Sequence, residues 1–289
     1  MSRMGDVLAG LHAAWEFESD SVLIRYERGI RTPKLFQALG ERRVPIEAIA
    51  GMTLTPGRRG TVVLRIEPRD GADPLMEAAA GQLKEGCDPY RLVLPAERET
   101  LAEYYADELR TQLKDDGEAA ERYLVSAPEA PRQFKAYDAK ASFDGKTVHF
   151  RWFWTGASSA KWKAGDQSFP VDELSGVEWR SPEVFEGHLR LTLRDGAAAP
   201  AQPDQDPAAV VFGLGYGPVH ESLPFAAAVL AAVRHRGPVA AVPAGAPRRD
   251  PADIADIAER IRHLGELHQA GLVTDEEFSV KKAELLAEL

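Results

Sequence analysis

The side chains of this 289-residue chain best suited to metal binding or nucleophilic catalysis are seven histidines and one cysteine. No two histidines are four residues apart, the spacing that sets two ligands on one helical face, and His263 and His268, at five, fall on different faces. Cys87 lies in the segment EGCDP with no histidine near it in the sequence, so it lacks an activating base. We therefore predict no metal site, no cofactor and no catalytic residue.

A glycine-rich stretch, Gly213 to Gly217 (GLGYG), lies between a predicted strand and a predicted helix, where a phosphate-cradling loop would lie. Its spacing differs from G-x-G-x-x-G, and no lysine follows it as in a Walker motif. We expect a turn that leaves the strand and no nucleotide site.

Basic side chains cluster in one segment near the N-terminus: Arg28, Arg31, Lys34, Arg42 and Arg43. The favoured interpretation is a solvated loop of long charged side chains. The alternative is a rim that binds anions, such as the headgroups of a membrane surface. The formal net charge of −10 argues against nucleic acid as a partner, because binding to a duplex depends on neutralising phosphates.

The composition places these residues in a chain with an ordinary packed core, since 44% of the residues are hydrophobic and 28% are charged. A single cysteine excludes an intramolecular disulfide and indicates a reducing compartment. The N-terminal apolar run is too short and broken for a secretory signal, and no stretch approaches the roughly 20 apolar residues of a membrane span. We expect a cytoplasmic protein.

An internal repeat organises most of the chain. Three blocks recur with nearly the same spacing: FESDSVLIRY and FDGKTVHFRW from Phe17 and Phe143, VPIEAIAG and FPVDELSG from Val44 and Phe169, and LRIEPRDG and LRLTLRDG from Leu64 and Leu189. Alternating apolar residues predict antiparallel strands in each copy, with Trp152 and Trp154 in the core. The period then changes to that of an amphipathic helix, in ERETLAEYYADELRTQL and in ESLPFAAAVLAAVRHR.

The predicted fold class is α+β, with one domain at residues 1–125 and a second at 133–236. Each is expected to be a curved antiparallel sheet or barrel closed by one helix, which is the plan of pleckstrin-homology-like (PH-like) domains. The motifs GLHAAWEF, GIRTPKLFQALGERRVPIEAIAG and AEYYADELR resemble family 4429 of the domains of unknown function, over roughly residues 5–236. That resemblance implies a PH-like fold and no activity.

A segment rich in Pro, Ala and Gly, residues 237–252, reads as a flexible linker, and residues 253–289 read as a helical hairpin. Thr274 and Glu277 form a capping box at the second helix. The predicted apolar, partner-binding face comprises Ile254, Ile257, Ile261, Leu264, Leu267, Phe278, Leu285 and Leu286. The motif IAERIRHLGELHQAGLVTDEEFSVKKAELL resembles the short C-terminal (SHOCT) domain, which implies an association module.

These observations leave three functions open. The favoured one is a non-enzymatic binding or scaffold protein, with PH-like modules for recognition and the hairpin for association with itself or with a protein partner. The second is a peripheral membrane sensor that uses the basic segment of the first copy. The third is an enzyme with a site between the two copies, which no local motif supports.

Association through the hairpin is directly testable, because fewer than 40 residues without disulfide or metal bury too little surface to be stable alone. We expect Phe278→Asp or Leu264→Asp to abolish association while both larger domains stay folded. Light scattering should then report a smaller species than the wild type. A wild type that is monomeric and captures no partner would contradict the association role.

Overall fold

The computed structural model describes residues 6–113, 119–194, 200 and 202–235, and both repeats belong to one compact unit, Met1–Val239. The predicted linker 237–252 and hairpin 253–289, with every residue assigned to its apolar face, lie outside the described residues. Within the described residues, no helix is both long and apolar enough to cross a membrane.

The first repeat contains two antiparallel sheets and three helices. Four strands pair in chain order: β1 (Asp6–Ala9), β2 (Ala13–Phe17), β3 (Ser21–Tyr26) and β4 (Glu41–Pro45). Three more form the second sheet: β5 (Ile49–Pro56), β6 (Thr61–Pro68) and β7 (Arg91–Pro95). The helices are α1 (Lys34–Leu39) between β3 and β4, α2 (Pro74–Ala79) between β6 and β7, and α3 (Glu99–Gln112) at the end.

The second repeat has the same order of strands. Its four-stranded sheet contains β8 (Arg132–Lys135), β9 (Ala139–Phe143), β10 (Thr147–Trp152) and β11 (Gln167–Pro170), and its three-stranded sheet contains β12 (Leu174–Arg180), β13 (His188–Leu193) and β14 (Ala209–Val211). Its helices are α4 (Ser159–Ala164), between β10 and β11, and the closing helix α5 (Val219–His235). Four antiparallel sheets and five helices among the described residues confirm the α+β class and the tandem repeat.

The periodicity of the sequence accounts for these elements. In β10, Val148, Phe150 and Trp152 are buried at alternate positions, as a strand with one core face requires. Equivalent helices α1 and α4 each stop at a glycine, Gly40 and Gly165, with φ of 68° and 71°. A left-handed residue ends a helix at little cost only when it lacks a Cβ, so both repeats turn sharply into the next strand.

Helix α2 joins the two repeats. It packs on α5 and β12 of the second repeat, and Leu75, Ala78 and Ala79 lie in the same buried cluster as the core of that repeat. Just beyond α2, the Gln82 side chain donates to the backbone oxygen of Trp179 at 2.9 Å and accepts from the Ser181 amide at 2.9 Å. The side-chain amide of Gln82 thus forms hydrogen bonds with the backbone of β12 and of the residue after it, at the edge of the sheet.

Arg234, near the end of α5, holds the opposite end of this interface. Its guanidinium donates to the backbone oxygens of Gly71 and Ala120 at 3.2 and 3.1 Å and pairs with Glu77 at 3.1 Å. It also lies 4.5 Å from the centre of the Tyr123 ring. The interface is therefore apolar in the middle and hydrogen-bonded at both ends.

We expect Leu75→Ala to lower the free energy of unfolding by about 2–5 kcal/mol, because the fully buried side chain leaves a cavity in the shared core. Chemical denaturation followed by tryptophan fluorescence should show one transition, shifted as a whole. Leu101→Ala on α3, where the leucine is 43% exposed, is the matched control and should change stability by less than about 0.5 kcal/mol. Two transitions, of which only one shifts, would contradict a shared core.

Candidate functional site

Arg42, predicted to lie on an anion-binding rim, is buried, and that prediction is wrong. Its side chain is 5% exposed and pairs with Asp73 at 2.7 Å. Burial alone would lower the pKa of Arg42, but the charge of Asp73, with smaller contributions from Tyr90 and Tyr26, outweighs it and holds the pKa above its usual value. The guanidinium is therefore a permanent charge of the core and is not available to a ligand.

Asp73 also accepts the other hydrogen bonds of this buried network. Its carboxylate accepts from the Leu75 amide at 2.9 Å, which caps α2, and from the Tyr90 hydroxyl at 2.7 Å. The Arg42 guanidinium also lies 5.8 Å from the centre of the Tyr90 ring. Every partner is a donor to one carboxylate, so the network fixes the start of α2.

The other basic residues of the predicted rim divide into two groups. Arg43 is exposed but already paired, because it binds Glu18 and donates to the Ser21 hydroxyl at 2.9 Å. Arg28, Arg31 and Lys34 are exposed, and within the part of the chain that the structure describes none of their side chains has a hydrogen bond or ion pair. Three of the five predicted residues thus remain accessible to an anion.

The corresponding segment of the second repeat holds a buried charge instead of a rim. Lys161, on α4, is fully buried and its ammonium lies 2.5 Å from the carboxylate of Asp138 and 5.0 Å from the centre of the Trp152 ring. Burial lowers the pKa of Lys161, and Asp138 opposes the shift; burial also raises the pKa of Asp138, against the opposing charge of Lys161. Both shifts show that desolvation outweighs the attraction within the pair.

Two arginine positions that recur in both repeats carry equivalent contacts. Arg65 pairs with Asp88 at 3.0 Å, and its equivalent Arg190 pairs with Asp206 at 3.0 Å. Arg190 is only 17% exposed. Each pair therefore joins an arginine of a central strand, β6 or β13, to a carboxylate of the same repeat.

The tryptophan prediction is half correct. Trp152 is buried, but Trp154 is 39% exposed and lies past the end of β10. The Trp154 ring packs edge-on against Trp162 of α4, with centroids 4.9 Å apart. The strand ends two residues earlier than the alternation indicates.

An open groove of about 550 Å³ lies between the two repeats, and sequence reasoning missed it. Leu35 and Leu83 line it from the first repeat, and Phe212 and Val219 line it from the second. Four segments meet there: the start of α1, the α2–β7 connection, the β12–β13 connection and the turn before α5. We call this surface the inter-repeat groove.

Two loops of the second repeat place apolar side chains at the mouth of this groove. Phe185 is 83% exposed and Leu214 is fully exposed, and both line the groove together with the less exposed Val184 and Tyr216. Monomeric proteins seldom leave neighbouring large apolar side chains in water without a binding role. The mouth is therefore a candidate contact surface.

The predicted GLGYG turn forms one wall of the groove. The turn is closed by a hydrogen bond from the Tyr216 amide to the backbone oxygen of Gly213 at 2.9 Å. The Gly217 amide donates to the backbone oxygen of Lys135 at 2.7 Å. Gly217 has φ of 65°, and a Cβ there would lie 2.2 Å from the Phe212 ring. Glycine thus lets the turn close over Phe212 while Leu214 projects outward.

The titratable groups that line the groove are Lys34, Cys87, Glu183, Glu186, Tyr216 and His220. Burial raises the pKa of Cys87, with a contribution from Glu183, and this keeps the thiol protonated. Burial lowers the pKa of His220, opposed by Glu221, so the imidazole is neutral at pH 7. Among the residues that the structure describes, no cluster of histidine, cysteine and carboxylate side chains could hold a metal ion.

We expect Lys161→Met to destabilise the protein by about 3 kcal/mol, because it leaves the Asp138 carboxylate buried without its counter-charge. The double variant Asp138→Asn/Lys161→Met should return to within about 1 kcal/mol of the wild type, since Asn keeps the oxygen that accepts from the Val211 amide. Urea denaturation measures both.

The double variant should also remove a pH dependence. Since the folded-state pKa of Asp138 is raised, its contribution to stability is largest in acid and falls as pH rises through that pKa. The exposed Lys163 on the same helix supplies the control, Lys163→Met, with less than about 0.5 kcal/mol expected. If the double variant were as unstable as Lys161→Met, the destabilisation could not come from a buried Asp138 carboxylate that has lost its counter-charge.

Comparison with known protein families supports the repeat and the C-terminal assignment. A family model described as a domain of unknown function (DUF4429) matches residues 15–110 and 141–230, and the short C-terminal domain (SHOCT) matches residues 259–286. No curated protein matches the chain. The two DUF4429 matches fall on the two repeats and together cover more than half of the chain. Both resemblances found in the sequence are confirmed, and the chain belongs to the DUF4429 family, with a SHOCT domain after its two repeats.

Proposed function

We propose that this protein is a non-enzymatic binding and scaffold protein. In this proposal the two repeats are PH-like modules that form one rigid recognition unit, and residues 253–289 associate with another copy or with a protein partner. Four strands, three strands and a closing helix in each repeat support the PH-like assignment. The SHOCT match supports an appended association module.

The observation that carries the proposal is the exposure of Phe185 and Leu214 at the mouth of the inter-repeat groove. A protein-binding site typically has one or two apolar anchors beside a pocket that accepts the partner's side chain. Leu35, Leu83, Phe212 and Val219 supply such a pocket. Because the groove draws on both repeats, joining the repeats is required to build it.

An enzyme with a site between the repeats would have to use this same groove. Cys87 and His220 both line it, but no hydrogen bond joins them in the described residues, and the thiol is kept protonated. A nucleophile requires a base within hydrogen-bonding reach. Binding therefore explains the groove more simply than catalysis does.

Peripheral contact with an anionic membrane is a second candidate, favoured by the loop between β3 and α1. Ile30 is fully exposed there, with Arg28 and Arg31 on either side and Lys34 three residues further on. An apolar side chain among cations suits an interface of acyl chains and anionic headgroups. Arg42 and Arg43 do not take part, since the first is buried and the second is paired.

The binding role is tested with the double variant Phe185→Ser/Leu214→Ser in the full chain. We expect quantitative pull-down from the native cell to lose at least one protein partner, and calorimetry with that purified partner to show binding weakened about 100-fold, because each anchor contributes on the order of 1–2 kcal/mol. Tyr104→Ser on α3, where the ring is 58% exposed and outside the groove, is the matched control. Identical partners and affinities for all three proteins would refute a role for the groove.

A further inference from the structure

The outer edge of β12, in the three-stranded sheet of the second repeat, carries backbone groups without a strand partner. The sheet has the order β12-β13-β14, so β12 is bonded to a strand along one side only. Successive residues of an antiparallel strand alternate between facing their neighbour and facing away from it. The backbone oxygen of Trp179 faces away, because it accepts from the side chain of Gln82 at 2.9 Å. The alternation therefore turns the N–H and C=O of Val177 to the same open edge.

The hydrogen bonds of the neighbouring strand agree with this orientation. Leu191, which lies opposite Val177 in the register, donates its amide to the backbone oxygen of Ala208 at 2.8 Å, on the side away from β12. Within the described residues, both backbone groups of Val177 and the N–H of Trp179 therefore have no hydrogen-bond partner.

Gln82 shows what this edge can bind. Its side-chain amide donates to the backbone oxygen of Trp179 and accepts from the Ser181 amide, both at 2.9 Å. One donor and one acceptor are also what the backbone of a neighbouring strand presents to an edge. Gln82 thus occupies one end of the place that a fourth strand would take.

The first repeat closes the equivalent edge with a side chain of its own. Alignment of VPIEAIAG with FPVDELSG makes Met52 equivalent to Val177, and both strands have a bulge just before that position. The backbone oxygen of Met52 accepts from the guanidinium of Arg110, on α3, at 2.9 and 3.1 Å. In the described part of the second repeat, no side chain caps Val177 in this way. An edge strand without a cap is a template for pairing with another chain.

An open cleft of about 490 Å³ lies along this edge. Its lining residues are Val177, Glu178, Trp179 and Arg180 of β12 and, on the other side, Glu77, Ala78, Ala80 and Gln82. Four residues of β12 amount to about 13 Å of strand, since each residue adds about 3.3 Å. Because α2 and the chain just after it bound the far side, the cleft admits one extended segment and not the sheet of a second copy.

The charges along the cleft are of both signs and do not select a charged partner. Glu77 pairs with Arg234 at 3.1 Å, and Glu178 lies 3.8 Å from Arg190. Arg180 is exposed, and its guanidinium has no ion pair among the described residues. The occupant is therefore defined by its backbone, since an added strand takes its affinity from main-chain hydrogen bonds and its specificity from alternate side chains.

We propose that the open edge of β12 binds an extended segment of a partner protein as a fourth strand of this sheet. The backbone of the segment pairs with both groups of Val177 and with the N–H of Trp179. Alternate side chains pack on Ala78 and Ala80, which favours apolar residues at every second position of the segment. The proposal does not depend on the inter-repeat groove, because the two surfaces share no lining residue.

The test begins with a selection from a displayed library of random peptides of about ten residues, run on the full-length protein. We expect the selected peptides to have apolar residues at every second position. Each backbone amide of the consensus peptide is then N-methylated in turn, and binding is measured by fluorescence anisotropy. Methylation should abolish binding at alternate residues only, because an added strand bonds to β12 through every second residue.

Val177→Pro should weaken binding of the consensus peptide on the order of tenfold, because the ring removes an edge donor and stands where the added strand would lie. Proline is tolerated where the N–H of an edge strand faces outward, and a cooperative thermal transition verifies that the variant is folded. The N-methylation series uses the wild type and is independent of this variant. Val177→Thr keeps the N–H and the shape of the side chain, so it is the matched control and should bind as the wild type does.

Phe185→Ser/Leu214→Ser is a second control and should bind the consensus peptide as tightly as the wild type. Loss of binding in that variant would assign the peptide to the inter-repeat groove and overturn the role of β12, while the function proposed above would stand. Failure to enrich any peptide, or a consensus peptide that tolerates N-methylation at every residue, would rule out strand addition. A wild type that is a dimer by light scattering, and a monomer after Val177→Pro, would assign the edge to a second copy and overturn a partner segment.

Discussion

The carboxylate of Asp73 is the interaction on which the arrangement of the two repeats depends. It accepts from the guanidinium of Arg42 and the hydroxyl of Tyr90 in the first repeat and from the first free amide of α2, the helix that packs on the second. A buried charge that loses one partner keeps the full cost of its desolvation. Loss of any one donor therefore leaves this buried carboxylate less compensated, and together the three donors fix where α2 begins.

The groove follows from this constraint. Helix α2 brings Leu75 into the core of the second repeat, and Gln82 and Lys84, just after it, bond to Trp179, Ser181 and Glu183. These contacts hold the β12–β13 loop beside the start of α1, so that Phe185 and Lys34 border one surface. Neither repeat by itself has both walls.

The two repeats have the same fold although equivalent core positions hold different types of side chain. In the first, Phe36 of α1 stacks on Tyr26 with ring centroids 4.8 Å apart. In the second, Lys161 of α4 takes the place of the phenylalanine, lies against Trp152 and requires Asp138 as its counter-charge. The strand order depends on the pattern of buried positions, which both solutions satisfy. Lys161, like Arg42, looks like surface charge in the sequence and is core in the structure.

The sequence predicts the strands and the closing helices because each has its own local period of apolar residues, and it predicts the repeat because three blocks recur. The burial of Arg42 could also have been predicted from the sequence. In β4, Arg42 and Val44 occupy alternate positions on the buried face, and Arg43 lies on the exposed face. A count of basic residues in the segment puts the two arginines together, whereas the alternation of a strand places them on opposite faces. The groove had no such signal, since Lys34, Phe185 and Leu214 come from segments far apart in the chain and meet only in the folded protein.

The position of α2 in the chain also has a consequence for biosynthesis. Its apolar face belongs to a core completed by α5, which is translated roughly 150 residues later. At about 5–20 residues per second, a nascent first repeat therefore exposes Leu75, Ala78 and Ala79 for on the order of ten seconds before their covering helix exists. Such a surface is a ready target for a ribosome-associated chaperone. Its short length, six residues set among turns, limits how much of it can aggregate in the meantime.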